Sequence, residues 1–205
     1  SKNRFGGTDE IGVFAMAEEG LTEVGNPSAL FLTDRAEQVT GATVFPALEG
    51  TRPVLVEIQA LTVRLSSGAT PRRAVVGWDS GRLAMILAVL EARCGIPFTG
   101  LDVFLNVAGG MRVNEPAADL AVAAALLSAR EDVAIPPDMV LFGEISLSGA
   151  LRPVGQTENR LKEASKLGFS QATVPSHSKI EGAAGLTVRQ MPDLTAFVGE
   201  MFGAG

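Results

Sequence analysis

The stretch LNVAGGMRVNEPAADLAVAAALL, Leu105–Leu127, constrains this chain more than any other. An apolar strand runs into paired glycines, then a polar loop, then Glu115-Pro116 opening an apolar helix. Proline suits a first helical position, and the residue before it resists helical geometry, so the helix starts at Pro116. Apolar residues surround most of that helix, which therefore needs cover on most sides. The chain's own interior or a neighbouring subunit would serve equally. Enzymes often keep a nucleophile at such a turn, but here stand only Ala117, Ala118 and Asp119. No serine lies between Ser80 and Ser128, so the helix start has no hydroxyl nucleophile. The loop GGMRVNEP lacks the Lys-Ser/Thr tail of a phosphate loop.

The remaining patterning places strands before and after this unit. Glu10–Met16 alternates weakly, the turn VGNPS follows, and ALFL is a second short apolar segment. Gly41–Ala47 and Val54–Val63 read as strands joined by the turn LEGTRP. SSGATPRR reads as a loop. Asp79 then caps a helix in which Leu83, Ile86, Leu87 and Leu90 recur at helical spacing, with Gly95 past its end. Beyond the Leu101–Val107 strand and the helix from Pro116 to Arg130 come strands at Val140–Ser146, Leu151–Val154, Ala172–Val174 and Thr187–Gln190. Helices are expected at Thr157–Leu167 and Asp193–Phe202. Hairpins first and strand–helix alternation later indicate one α+β domain with a mixed sheet, without linker or repeats.

Composition narrows the function. The chain has 205 residues, is 46% hydrophobic, and carries one cysteine and one histidine. That excludes an internal disulfide and a His-rich metal site. Cys94 reads as a packing residue and His177 as a solvated loop residue. No apolar run approaches the ~20 residues of a membrane span, and SKNRFGGTDE has no signal-peptide core; a cytoplasmic protein is expected. The net charge is −6, yet residues 52–112 hold seven arginines (52, 64, 72, 73, 82, 93 and 112) against four acidic residues. An acidic protein with a basic middle can present a positive face. Tyrosine is absent and Trp78 is the single tryptophan, so phosphate contacts rather than base stacking would dominate any nucleic-acid binding. Arg82 falls in the first turn of its helix, where the dipole disfavours a cation by ~0.3–1 kcal/mol unless an anion shares the site.

A glycine-ended strand, a proline-led helix, then FGEISLSGALRPVG and a Lys/Arg-bearing helix resemble the proteolytic domain of Lon proteases. That resemblance implies a serine after Pro116 and a lysine at position 158, the lysine acting as the serine's base. Ala117 and Glu158 stand there instead. Lys162 lies one helical turn on, about 6 Å along the axis, and does not simply substitute. The opening KNRFGGTDEIGVFAM, with RRAVVGWDSGRLAMILAVLEARCG, LNVAGGMRVNEPAADLAVAAALLS and LFGEISLSGALRPV, resembles the RadA (Sms) family of bacterial DNA-repair proteins along essentially the whole chain. In that family the Lon-like domain is not a protease.

The resemblance implies a Lon proteolytic-domain-like fold (ribosomal protein S5 domain 2-like), a mixed sheet with packed helices. Residues 1–8 would be the KNRFG motif and linker from a RecA-like ATPase domain, and residues 9–205 the Lon-like domain. The chain has no four-cysteine zinc motif and no Walker A loop; the resemblance puts both upstream, making this a C-terminal segment with no cofactor of its own. The intact protein would use ATP, Mg and Zn as an ATP-dependent DNA helicase promoting branch migration in recombination and repair. Its implied partners are single-stranded or branched DNA, five further copies in a homo-hexamer, and a RecA-type recombinase.

Lys2 and Arg4 would sense ATP bound by the adjacent subunit, stabilising charge as an arginine finger does. Arg72, Arg73 and Arg82 would form a phosphate-binding cluster extended by Arg64, Arg112 and Arg52, since the guanidinium fork suits phosphate oxygens; the plain alternative is solvated surface arginines. Two other readings stay open. One is an active Lon-type serine-lysine peptidase using a displaced lysine such as Lys162. The other is an assembly module without DNA contact.

Overall fold

A computed structural model describes the backbone of Phe14–Ala17 and Gly20–Glu23, and residues 38–203 in full. Lys2 and Arg4, and the ALFL segment, lie outside the described residues. Strands β1 (Phe14–Ala17) and β2 (Gly20–Glu23) form an antiparallel pair. The main sheet begins with β3 (Ala42–Glu49) and β4 (Arg52–Arg64), an antiparallel hairpin whose ends meet at Glu49↔Arg52. The Gly-containing turn between them is the one the sequence marks.

After β4 comes a strand that the sequence pattern does not mark, β5 (Arg73–Val76), of which only Arg73 belongs to the expected loop SSGATPRR. It is four residues long, mostly exposed, and lies at the sheet edge parallel to β6 (Leu101–Val107). So short an edge strand has no buried face to produce an alternation. Between β5 and β6 runs α1 (Ser80–Cys94), capped as expected: the Asp79 carboxylate accepts from the Arg82 amide at 2.8 Å, and Gly95 closes the far end at φ 69°. Gly77, at φ +81°, hands β5 over to α1. A Cβ there would lie 2.6 Å from the Met111 carbonyl oxygen and 2.8 Å from the Val107 Cβ.

The proline-led unit is resolved into a single 3-10 turn, Pro116–Ala118, followed by α2 (Asp119–Glu131). Every residue of α2 from Asp119 to Ser128 is buried. It packs on β3 and β4 on one side and α1 on another, and α1 packs in turn on α4 (Leu194–Phe202). The chain itself therefore supplies the cover that this apolar helix demands. Each of Leu120, Leu126 and Leu127, fully buried, contributes about 1.5–3 kcal/mol. Two polar contacts fix the helix against β3: Thr43 Oγ1 donates to the Ala121 carbonyl and Gly41 N donates to Ser128 Oγ, both at 2.8 Å.

The expected strand Val140–Ser146 is broken in two. β7 (Met139–Leu141) joins the main sheet, whereas β8 (Glu144–Ile145) pairs with β9 (Leu151–Arg152) in a separate small sheet. The reason lies at Gly143, whose N–H donates to the Ala117 carbonyl at 2.8 Å and whose carbonyl accepts from Leu120 N at 3.0 Å. Those bonds pull the chain out of the sheet and onto the proline turn. Then follow α3 (Thr157–Lys166), β10 (Gln171–Pro175) and β11 (Thr187–Met191). The seven strands lie in the order β11-β10-β7-β3-β4-β6-β5. The pairs β3–β4 and β4–β6 are antiparallel and the rest parallel. This is the mixed α+β sheet expected. No helix among the described residues is long and apolar enough to cross a membrane.

Candidate functional site

The two positions where the resemblance to Lon proteases implies a serine and a lysine, Ala117 at the proline turn and Glu158 on α3, have structural surroundings of their own. Ala117 is buried and presents only a methyl group. Glu158, in the first turn of α3, accepts through Oε1 from the amides of Glu181 (2.6 Å) and Gly182 (3.4 Å), so it ties down a loop. The residues flanking these positions carry an ion pair between a buried arginine and a half-buried glutamate that sequence reading missed. Arg160 is 2% exposed. It donates to Glu115 Oε1 at 2.6 Å, to the Pro46 carbonyl at 2.6 Å and to the Gly155 carbonyl at 2.9 Å. Its guanidinium also lies over the rings of Phe45 and Phe142, at 5.6 and 5.8 Å. Glu115 Oε2 accepts from Leu48 N at 2.8 Å. A buried arginine so placed locks α3 to the start of the proline turn. Lys162 is exposed on α3, and among the described residues no serine is hydrogen-bonded to a lysine.

The six arginines expected to bind DNA do not form one cluster. Arg52 and Arg64 stand at opposite ends of the 13-residue β4, roughly 35–40 Å apart. Arg64, Arg72 and Arg73 share one end of the sheet. Arg64 is opposite Leu101 in the ladder, and Arg73 donates to the Leu101 carbonyl at 2.6 Å and to the Phe98 carbonyl at 3.3 Å. Arg82 and Arg112 belong to the other end of β5 and β6, where Val113 N bonds the Gly77 carbonyl at 2.9 Å.

Two of the six are engaged by carboxylates. Arg72 grips Asp102 through its amide (2.7 Å), Nε (3.0 Å) and Nη2 (2.8 Å), and lies 5.6 Å over the Phe104 ring. Its hydrogen bonds hold the Asp102 carboxyl below the usual carboxylate range. With 71% of its side chain exposed, Arg72 still shows a face to solvent. Arg82 donates through Nε to Asp119 Oδ1 at 2.8 Å and through Nη2 to Oδ2. The anion that its helix-start position calls for is thus supplied from inside the protein. Burial pushes the Asp119 carboxyl up, and the Arg82 hydrogen bond and the Ile145 amide, 3.0 Å away, counter it. Arg82 is therefore first a structural residue.

Of the other residues singled out, His177 is exposed, at φ 67° in its turn. Cys94 packs against the core with its Sγ 3.7 Å from Thr195 Oγ1, and burial pushes its thiol up. Among the described residues no three His, Cys, Asp or Glu side chains group to hold a metal ion.

Fold and site together define an α+β domain whose buried carboxylates hold arginines in place and whose helix start carries no nucleophile. Residues 80–178 match the family described as subunit ChlI of Mg-chelatase. The chain is 67% identical to DNA repair protein RadA of Brucella abortus over 177 residues, 86% of this chain and 38% of that one. It is 48% identical to DNA repair protein RadA of Rickettsia bellii over 198 residues (97% and 44%), and 52% identical to that of Pseudomonas aeruginosa over 188 residues (91% and 41%). The chain belongs to the RadA family of DNA repair proteins, and spans about two fifths of the length of these relatives.

Proposed function

We propose that this chain is a non-proteolytic, Lon-like, DNA-binding and ring-organising domain of a RadA-type DNA repair protein. Residues 9–205 form the domain, and residues 1–8 join it to a RecA-like ATPase domain. The observation that carries the reading is the state of the two dyad positions. Ala117 offers no hydroxyl, Glu158 is spent on loop amides, and the Glu115–Arg160 pair fastens the surroundings. In this reading the intact protein is a cytoplasmic ATP-dependent helicase promoting branch migration on single-stranded or branched DNA, alongside a RecA-type recombinase. Lys2 and Arg4 address ATP in the neighbouring subunit. In this reading ATP, Mg and Zn are used by the intact protein. Ring assembly is supported by an apolar strip on the outward side of β4, β6 and β5, where Leu61 is 59% and Val76 60% exposed. A subunit contact is what such a strip suits.

The test uses the full-length protein in three assays: casein cleavage, single-stranded DNA titration, and sedimentation with ATP. The reading expects no cleavage, salt-dependent binding, and a hexamer. Casein turnover abolished by replacing a serine would establish the peptidase reading instead. A hexamer without DNA affinity would establish the assembly module.

A further inference from the structure

Five arginines of the described residues are committed to carboxylates: Arg72, Arg82, Arg130, Arg160 and Arg189. A different set of cations converges with no ion pair among the described residues. At the turn of the β3–β4 hairpin, Thr51 and Arg52 face α3 across an open groove of about 640 Å³. From the helix, Gln156, Asn159, Lys162 and Lys166 line the same groove, with Glu163 the carboxylate on its wall. Positions 159, 162, 163 and 166 are three, four and seven apart, so they share one helix face. Among the described residues, Arg52, Lys162 and Lys166 have no ion-pair partner. Two separate elements thus aim three unneutralised cations and three uncharged hydrogen-bonding side chains into one polar space.

We propose that this groove is a track for the phosphodiester backbone of single-stranded DNA, with Arg52, Lys162 and Lys166 as its phosphate contacts. The inference rests on the DNA-binding reading above and gives it a location. Ammonium groups on flexible stems meet phosphates as point charges, without reading bases. No aromatic side chain lines the groove, and Trp78 is buried elsewhere. Base stacking contributes nothing there, and binding is indifferent to sequence and governed by salt.

The experiment compares full-length wild type with Arg52→Ala/Lys162→Ala/Lys166→Ala by fluorescence anisotropy on a labelled oligo-dT across a fourfold salt range. Each neutralised phosphate of a single strand contributes ~0.7 to the slope of log affinity on log salt, so the triple variant loses about 2 from that slope. Over the fourfold range its affinity falls roughly 15–20-fold less than the wild type's. The melting temperature stays unchanged, because these cations hold no partner. Arg52→Lys/Lys162→Arg/Lys166→Arg keeps the wild-type slope. A triple variant that binds like wild type, with equal slope, overturns this site and leaves DNA binding standing. A wild type without affinity for the oligonucleotide overturns the DNA-binding reading and the groove with it.

Discussion

Asp119, fully buried at the start of α2, receives two parallel N–H groups from Arg82, 37 residues earlier in the first turn of α1, and the Ile145 amide as well. One carboxylate thus fastens two helix starts and the small β8–β9 sheet. Burial raises the folded-state pKa of Asp119, so its contribution to stability is full below the unfolded value, near 4, and declines as pH rises through the folded value. Arg82 limits that rise. Arg82→Ala lets it go further, and the variant's deficit should widen as pH rises above about 4, toward about 3 kcal/mol. Thermal melts across that range check it; a deficit independent of pH would count against the assignment. Any loss of DNA affinity in this variant has to be read against its melting temperature.

The Arg72–Asp102 pair has the opposite sign. Asp102 is held below its ordinary range, chiefly by the Arg72 side chain. Its stabilisation is present above the unfolded pKa and lost as pH falls through the folded one. Asp102→Asn should therefore be less stable than wild type at neutral pH, with the gap closing on acidification below about pH 4. Denaturant titrations at neutral and acidic pH measure the gap.

Arg160 satisfies three acceptors while buried against two aromatic rings. Arg160→Ala strands Glu115 and the Pro46 carbonyl and should cost about 3–5 kcal/mol in a urea titration. Arg160→Lys should recover less than half of that, because an ammonium lacks the planar fork.

Gly77→Ala tests the hand-over from β5 to α1. Positive φ and contacts under 3 Å with Met111 and Val107 predict a loss of about 1–3 kcal/mol. An unchanged melting temperature would show that the turn rearranges freely.

Local pattern told much of this fold. Asp79, Gly95 and Pro116 act through their own backbone neighbourhood, so the ends of α1 and the start of the proline-led unit were legible. Apolar spacing located β3, β4, β6 and α3 within a few residues. What it missed had no local signal: β5 is a short exposed edge strand, and the break at Gly143 is made by bonds to Ala117 and Leu120, more than twenty residues away.

The candidate site divides along the same line. Sequence alone determined that Ala117 and Glu158 stand where the resemblance to Lon proteases implies a serine and a lysine, and that positive charge collects in the chain's middle, because residue identity needs no coordinates. Only the tertiary structure decided which cations are free. Asp119 and Asp102 claim Arg82 and Arg72 from 37 and 30 residues away, while folding brings Arg52 opposite Lys162 and Lys166. Charge pairing acts through space, over a few ångströms, and neighbours in space are not neighbours in the chain.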